Sequence, residues 1–163
     1  MWYVIWTSTG SERKSQETLK DLVDRVFIPR KIVNIKVKGE WTSVEKPLFP
    51  GYLFVDTDSV EELVVNLRQK EEFNQVLAID KKYFPLYEKD AIFAEKMYNE
   101  NGVFDISEGY INGDKVIVTS GPLCGLEGYI KKINRHKRLA YLEFDMFEQK
   151  MSVALGLEIL DKR

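Results

Sequence analysis

GDKVIVTSGPLCGLEGYIKKI, residues 113–133, decides how the carboxy-terminal part of this 163-residue chain folds. Val116 and Val118 alternate with polar and apolar neighbours as on a strand. Ser120, Gly121 and Pro122 then turn the chain. Gly125 and Gly128 are expected to allow positive φ or close backbone approach as it re-enters a sheet. Outward to the chain's end the texture persists. DKVIVTS, GPLCGLEG, GYIKKIN, RHKR, RLAYLEFD, MFEQ, KMSVAL and GLEIL alternate short β runs with turns. Helical spacing of apolar residues is absent there. Five short strands in roughly fifty residues predict a small closed barrel over 113–163.

Toward the amino terminus the pattern changes. NGVFDISEGYIN, 101–112, breaks the periodicity and reads as a linker. It is not rich in Ser, Gly or Pro, and Val103, Phe104, Ile106 and Ile111 are apolar, so it is expected to pack on one domain rather than wave freely. Residues 1–100 read as β-α-β-β-α-β-α. WYVIWTS, 2–8, is a buried strand. Thr9 and Glu12 have capping-box spacing, and Leu19, Leu22, Val23 and Val26 form one stripe of a helix that ends at Pro29. RKIVNIKVKGEW, 30–41, puts Ile32, Ile35 and Val37 on one side and Lys36 and Lys38 on the other, then turns at Gly39. KPLFPGYLFVDTD, 46–58, is a Pro-Gly turn feeding a second strand, the pair expected to form a hairpin or meander. Ser59 and Glu62 suggest a second capping box before a helix bearing Val60, Leu63, Val64 and Leu67. QVLAI, 75–79, is a further strand, and 86–99 a third helix. Short connections and a mainly antiparallel sheet predict an α+β sandwich.

Composition narrows the function classes. The formal charge is -2, but it is uneven: residues 107–163 hold nine Lys/Arg and eight Asp/Glu, against 15 and 18 before them. Neither part can coat nucleic acid without specificity, so any such site must be a local patch. The single cysteine, Cys124, excludes an internal disulfide and fits a reducing compartment. The opening MWYVIWTSTG lacks the charged and apolar regions of a leader, and no run is long enough to span a bilayer. A cytoplasmic protein without membrane contact is expected. One His, one Cys and no phosphate loop, nucleophile elbow or metal-ligand cluster argue against an enzyme, a metal or a cofactor. Glu61/Glu62 and Glu71/Glu72 read as solvated faces, and Cys124 as a small apolar filler.

Three segments carry a family resemblance. GDKVIVTSGPLCGLEGYIKKI resembles the KOW motif. KPLFPGYLFV, 46–55, resembles the Phe-Pro-Gly-Tyr segment of NusG amino-terminal domains, and WYVIWTSTGSE resembles their opening strand and first helix. The resemblance to NusG-type transcription elongation factors covers both parts of the chain in order. It implies an amino-terminal α/β sandwich at 1–100, a linker at 101–112 and an SH3-like KOW barrel at 113–163. It further implies a non-enzymatic monomer that binds RNA polymerase at the clamp helices of its largest subunit, through a pocket lined by Trp6, Phe49, Tyr52 and Phe54. Read by spacing alone, the same four residues fit core packing. Within the family the tail is similar to the LoaP branch, processive antiterminators of long bacterial operons that recognise RNA hairpins. The chain is also similar to RfaH around VEKPLFPGYLFV. It departs from RfaH at EELVVN, 61–66, where that branch has a second polymerase contact. The glycine-rich β tail also argues against RfaH's all-helical alternative.

KKINRHKR, 131–138, has five Lys/Arg among eight residues and no acid. A barrel turn can project such cations together, which suits phosphates and splayed bases. Lys131, Lys132, Arg135, His136, Lys137 and Arg138 are therefore the candidate RNA-binding residues, with Tyr129 and Tyr141 for stacking and Lys31, Lys36 and Lys38 as a fallback strand. Strand alternation predicts that Lys131 and Lys132 point oppositely. The plain alternative is a solvated hairpin tip that also guards a sheet edge. Two functions follow: an antiterminator binding polymerase and an RNA hairpin, or a housekeeping factor whose barrel docks on Rho or the ribosome.

Overall fold

The computed structural model describes residues 1–146 and 149–163. In chain order its elements are β1 (Trp2–Thr7), α1 (Glu12–Leu19), β2 (Arg25–Phe27), β3 (Arg30–Val37), β4 (Glu40–Pro47), β5 (Tyr52–Asp56) and α2 (Val60–Arg68). Then follow β6 (Asn74–Val76), β7 (Ala78–Ile79), β8 (Lys82–Tyr83), α3 (Glu88–Asn99), β9 (Val103–Phe104), β10 (Ser107–Asn112) and β11 (Lys115–Ser120). A single 3-10 turn at Glu127–Tyr129 leads to β12 (Ile130–Asn134), β13 (Leu139–Met146) and β14 (Gln149–Lys162). The architecture is α+β, as the sequence pattern predicts, with a mixed amino-terminal part and a small β domain at the end. The chain divides into two compact units.

The first unit contains Met1–Pro29 and Phe49–Gly102. Its sheet has the order β2-β5-β1-β6, and β1 runs antiparallel to both β5 and β6. Alternation along β1 and β5 sends Tyr3, Ile5, Leu53 and Val55 to one face. There they meet Leu19 of α1 and the α2 stripe of Val60, Leu63, Val64 and Leu67 in one buried cluster. Each such fully buried aliphatic side chain stabilises the unit by about 1.5–3 kcal/mol.

Helix α1 is shorter than its apolar spacing predicts. The backbone N–H groups of Leu22 and Val23 both donate to Leu19 O, turning the chain, and Asp24 N then donates to Asp56 O at the sheet edge. Val26 consequently lies in β2 opposite Val55. Leu22, Val23 and Val26 still pack on the same cluster, so strand pairing has overridden the helical period without changing which side chains are inside. The expected capping boxes also differ. Glu12 accepts from Gly10 N and, through its other oxygen, from Gly51 N, both at 2.8 Å. Ser59 makes no side-chain cap, and its own N–H donates to Thr57 Oγ1 at 3.1 Å.

The second unit contains Arg30–Leu48, Val103–Asp145 and Gln149–Arg163. The strand after the Pro-Gly turn, β5, pairs with β1 instead of with β3, whose hairpin partner is β4; this hairpin groups here, and residues 101–112 supply β9 and β10. The hairpin is paired from Arg30↔Pro47 to Val37↔Glu40. Its turn residues, Lys38 and Gly39, have φ of 50° and 82°, the geometry of a tight hairpin. β9 lies parallel to β3. The carboxy-terminal sheet has five strands in the order β11-β10-β14-β13-β12. KMSVAL and GLEIL are one continuous strand, because Gly156 marks a close approach rather than a turn: a Cβ there would lie 2.9 Å from Ile106 and 3.1 Å from Ile32 O. Gly128, within the 3-10 turn, has open space around it and no positive φ, unlike the expectation. Leu123, Leu142, Leu155 and Leu157 are fully buried. Residues 147–148 of the MFEQ step lie outside the described residues.

Candidate functional site

The candidate residues fall on two surfaces, one in each unit. In the first, the sheet face opposite α1 and α2 bears Trp2, Trp6, Tyr52 and Phe54 in register, with Trp6 opposite Tyr52. Part of this face is an aromatic core. Phe27 stacks on Phe54 at 5.2 Å and meets Trp2 edge-on at 5.4 Å, and Phe49 lies 6.0 Å from Phe54. Tyr98 of α3 sits 5.9 Å from Trp2. Arg25 locks that end. Its guanidinium pairs with Asp56 at 2.9 Å and with Glu95, and lies 4.8 Å over Trp2 and 5.0 Å over Tyr98. Trp2 Nε1 donates to Glu95 at 2.9 Å. The hydrogen bond from Arg25, then that from Trp2, holds the Glu95 carboxyl below its ordinary range. Burial pushes Asp56 up, but its bonds to the terminal amine and Arg25 outweigh this and hold it low.

The other end of the face is open. Phe49-Pro50-Gly51-Tyr52 is a tight turn closed by Tyr52 N donating to Phe49 O at 3.0 Å. Gly51 has φ +85°, and a Cβ there would lie 3.0 Å from Thr7 O and 3.6 Å from the Trp6 indole. The turn is therefore docked on the end of β1 beneath Trp6, with Thr7 N donating to Gly51 O at 2.8 Å. Trp6 remains 46% exposed, and Tyr52 is half-buried. The four candidates do not share one exposure, since Phe49 and Phe54 are buried in the aromatic core. The open patch is Trp6 and Tyr52, extended by Phe73, whose ring meets Trp6 edge-on at 5.7 Å. Thr7 Oγ1 donates to Phe73 O at 2.9 Å and fixes its backbone. Phe73 carries no local sequence signal. Only the pairing of β1 with β6 brings it beside Trp6.

In the second unit, β12 and β13 present the basic run. Lys131 and Lys132 are both exposed. The register shifts between Ile130 and Lys132, and this bulge breaks the alternation. Arg135, His136 and Lys137 form the exposed turn. Asn134 Oδ1 accepts from Lys137 N at 3.0 Å and fixes its shape. Arg138 is different. It has φ 56°, lies 3.6 Å from Glu158, and stacks 4.0 Å over the Trp41 ring. Lys132 lies 5.8 Å from the Tyr141 ring. Of the fallback strand, Lys36 is exposed, 5.6 Å from Trp41, whereas Lys31 is half-buried with Nζ donating to Ala154 O at 2.6 Å. Burial, followed by the neighbouring Lys46 charge, lowers the Lys31 pKa. Sequence reasoning missed Trp41, which the hairpin register places opposite Lys36.

Among the described residues no group of three or more His, Cys, Asp or Glu could hold a metal, and no helix is long and apolar enough to cross a membrane. Neither surface gathers acid, base and nucleophile together.

Comparison with known proteins agrees with the fold. Residues 1–93 match the family described as "Transcription termination factor nusG". The transcription termination/antitermination protein NusG of Lactococcus lactis is 30% identical, across 98% of this chain and 91% of that protein. The Streptococcus pyogenes serotype M1 protein of the same name is 31% identical over 83% of this chain and 82% of its own length. A Thermotoga maritima NusG structure, described as showing domain interaction, superposes with a TM-score of 0.57 at 20% identity, covering 95% of this chain and 92% of that one. The family match over residues 1–93 and the Lactococcus alignment along nearly the whole chain place this protein in the NusG family of transcription termination and antitermination factors, which are not enzymes.

Proposed function

We propose that this factor is a processive antiterminator of the LoaP kind, working in the cytoplasm as a monomer on RNA polymerase and nascent RNA. The first unit docks on the clamp helices of the polymerase's largest subunit. Trp6 and Tyr52 make the contact, and Phe49 and Phe54 hold the sheet and turn beneath them. The basic turn of the second unit, Lys131, Lys132 and Arg135 to Arg138, binds an RNA hairpin. The observation that carries this reading is the turn itself: three adjacent exposed side chains, Arg135, His136 and Lys137, on a hairpin held by Asn134. Such a cluster can meet phosphates locally without a basic protein around it.

A titration of the full chain with a labelled RNA hairpin tests it, wild type against Arg135→Ala/Lys137→Ala/Arg138→Ala, at two salt concentrations. Each lost phosphate contact should lower the salt slope by roughly one unit. Equal affinity of the two proteins would remove the turn from the mechanism. That result would favour a housekeeping role in which the barrel docks on Rho or the ribosome, a reading supported by the exposed Leu160 of β14.

A further inference from the structure

The second unit holds a groove that the basic turn alone does not explain. It has a volume of about 350 Å³ and lies between hairpin β3–β4 and the 135–138 turn. Lys31, Lys36, Lys46, His136 and Lys137 supply its polar rim, and no carboxylate lines it among the described residues. The nearby Glu45 is neutralised by Arg30 at 2.9 Å. Val33, Ile35, Trp41 and Leu139 supply apolar and aromatic wall. Arg138 stacks on Trp41 and also pairs with Glu158, so the indole is held in place.

We propose that this groove receives one unpaired RNA nucleotide, its base against Trp41 and the aliphatic wall and its flanking phosphates on the lysine rim. The inference rests on the reading that the second unit binds RNA, and it names the part of the RNA that is read. Charge selects a polyanion. The apolar wall distinguishes a nucleic acid from a bare anion, because a base has a π-face to bury and an inorganic phosphate does not. A paired helix cannot present its base faces to such a wall, whereas a loop or bulge can. Lys31 is already tied to Ala154 O, leaving Lys36, Lys46 and Lys137 as the phosphate contacts.

The test follows the Trp41 indole N–H resonance of the full-length protein, assigned by its loss in Trp41→Phe. Hexauridylate and inorganic tripolyphosphate are titrated separately, and a fully paired RNA hairpin serves as a third probe. Hexauridylate should shift the indole saturably, and tripolyphosphate should not. Lys36→Ala/Lys46→Ala, at two exposed positions, should weaken hexauridylate several-fold, and Trp41→Ala about tenfold or more, with little change for the paired hairpin. Equal shifts from tripolyphosphate would mean a charge patch only. Hexauridylate binding that ignores all three substitutions would overturn the groove. A silent Trp41 with hexauridylate as well as with the paired hairpin, while the hairpin still binds, would overturn the groove and leave the turn's role standing. Loss of hairpin binding with an intact hexauridylate response would do the reverse.

Discussion

Trp6 offers a contrast between surface and core that the aromatic face makes measurable. A Trp side chain has about 250 Å² to bury. Trp6 keeps 46% of its surface exposed, which leaves ~115 Å² for a partner to cover, worth ~3 kcal/mol at about 25 cal/mol per Å². Trp6→Ala should therefore weaken binding to core RNA polymerase on the order of 100-fold. Its effect on folding should be modest, since the main loss is the edge contact with Phe73, worth about 0.5–1.5 kcal/mol. Phe54→Ala should do the opposite. That ring is 3% exposed and stacked on Phe27, so its removal should cost about 3–5 kcal/mol of stability. Biolayer interferometry with purified polymerase, paired with urea unfolding, reads both quantities. Trp6→Ala binding within threefold of wild type, at unchanged stability, would refute the assignment of this patch. So would a stability loss from Trp6→Ala as large as that from Phe54→Ala.

Gly121→Ala should destabilise the second unit by about 1–3 kcal/mol in a denaturant titration, because the new methyl would sit 2.5 Å from Ser107 Oγ at a φ of +96°. The pH dependence follows from Asp56 and Glu95, both held below their ordinary pKa. Their contribution is full above the unfolded carboxylate range and is lost as pH falls through the lower folded values. The thermal midpoint should be flat from neutral pH to about 5 and drop below about 4. Arg25→Met should shrink that drop, and an unchanged profile would exclude the Arg25 network as its cause. Arg138→Ala should lower stability more than Arg135→Ala does, because only Arg138 is tied to Trp41 and Glu158. Equal unfolding midpoints would show those contacts to be idle.

Much of the fold was legible because local pattern and tertiary structure agree. The α2 stripe is buried as its spacing predicts, and the Phe-Pro-Gly-Tyr turn forms where Pro and Gly demand it. The failures have long-range causes. Val26 obeys a helical period yet sits in a strand, since pairing with Val55 satisfies its backbone better than another helical turn. Within 101–112, read as a linker packed on one domain, Gly109 and the polar ends mask the strand at Ser107–Asn112. Its identity comes from partners β11 and β14, at Ile117 and Ile159 among others. The site was half visible. Cation spacing identified the turn, but not the bulge that exposes both Lys131 and Lys132. Trp41 and Phe73 gave no signal, because each matters only through a neighbour distant in sequence.

The most direct measurement is affinity for reconstituted transcription elongation complexes, one with RNA wholly covered by polymerase and one with a hairpin emerged. Wild type should bind the second more tightly. Trp6→Ala should weaken both, and Arg135→Ala/Lys137→Ala/Arg138→Ala only the second. Equal affinity of wild type for the two complexes, or indifference of both complexes to Trp6→Ala, would contradict a factor that holds polymerase with one unit and RNA with the other.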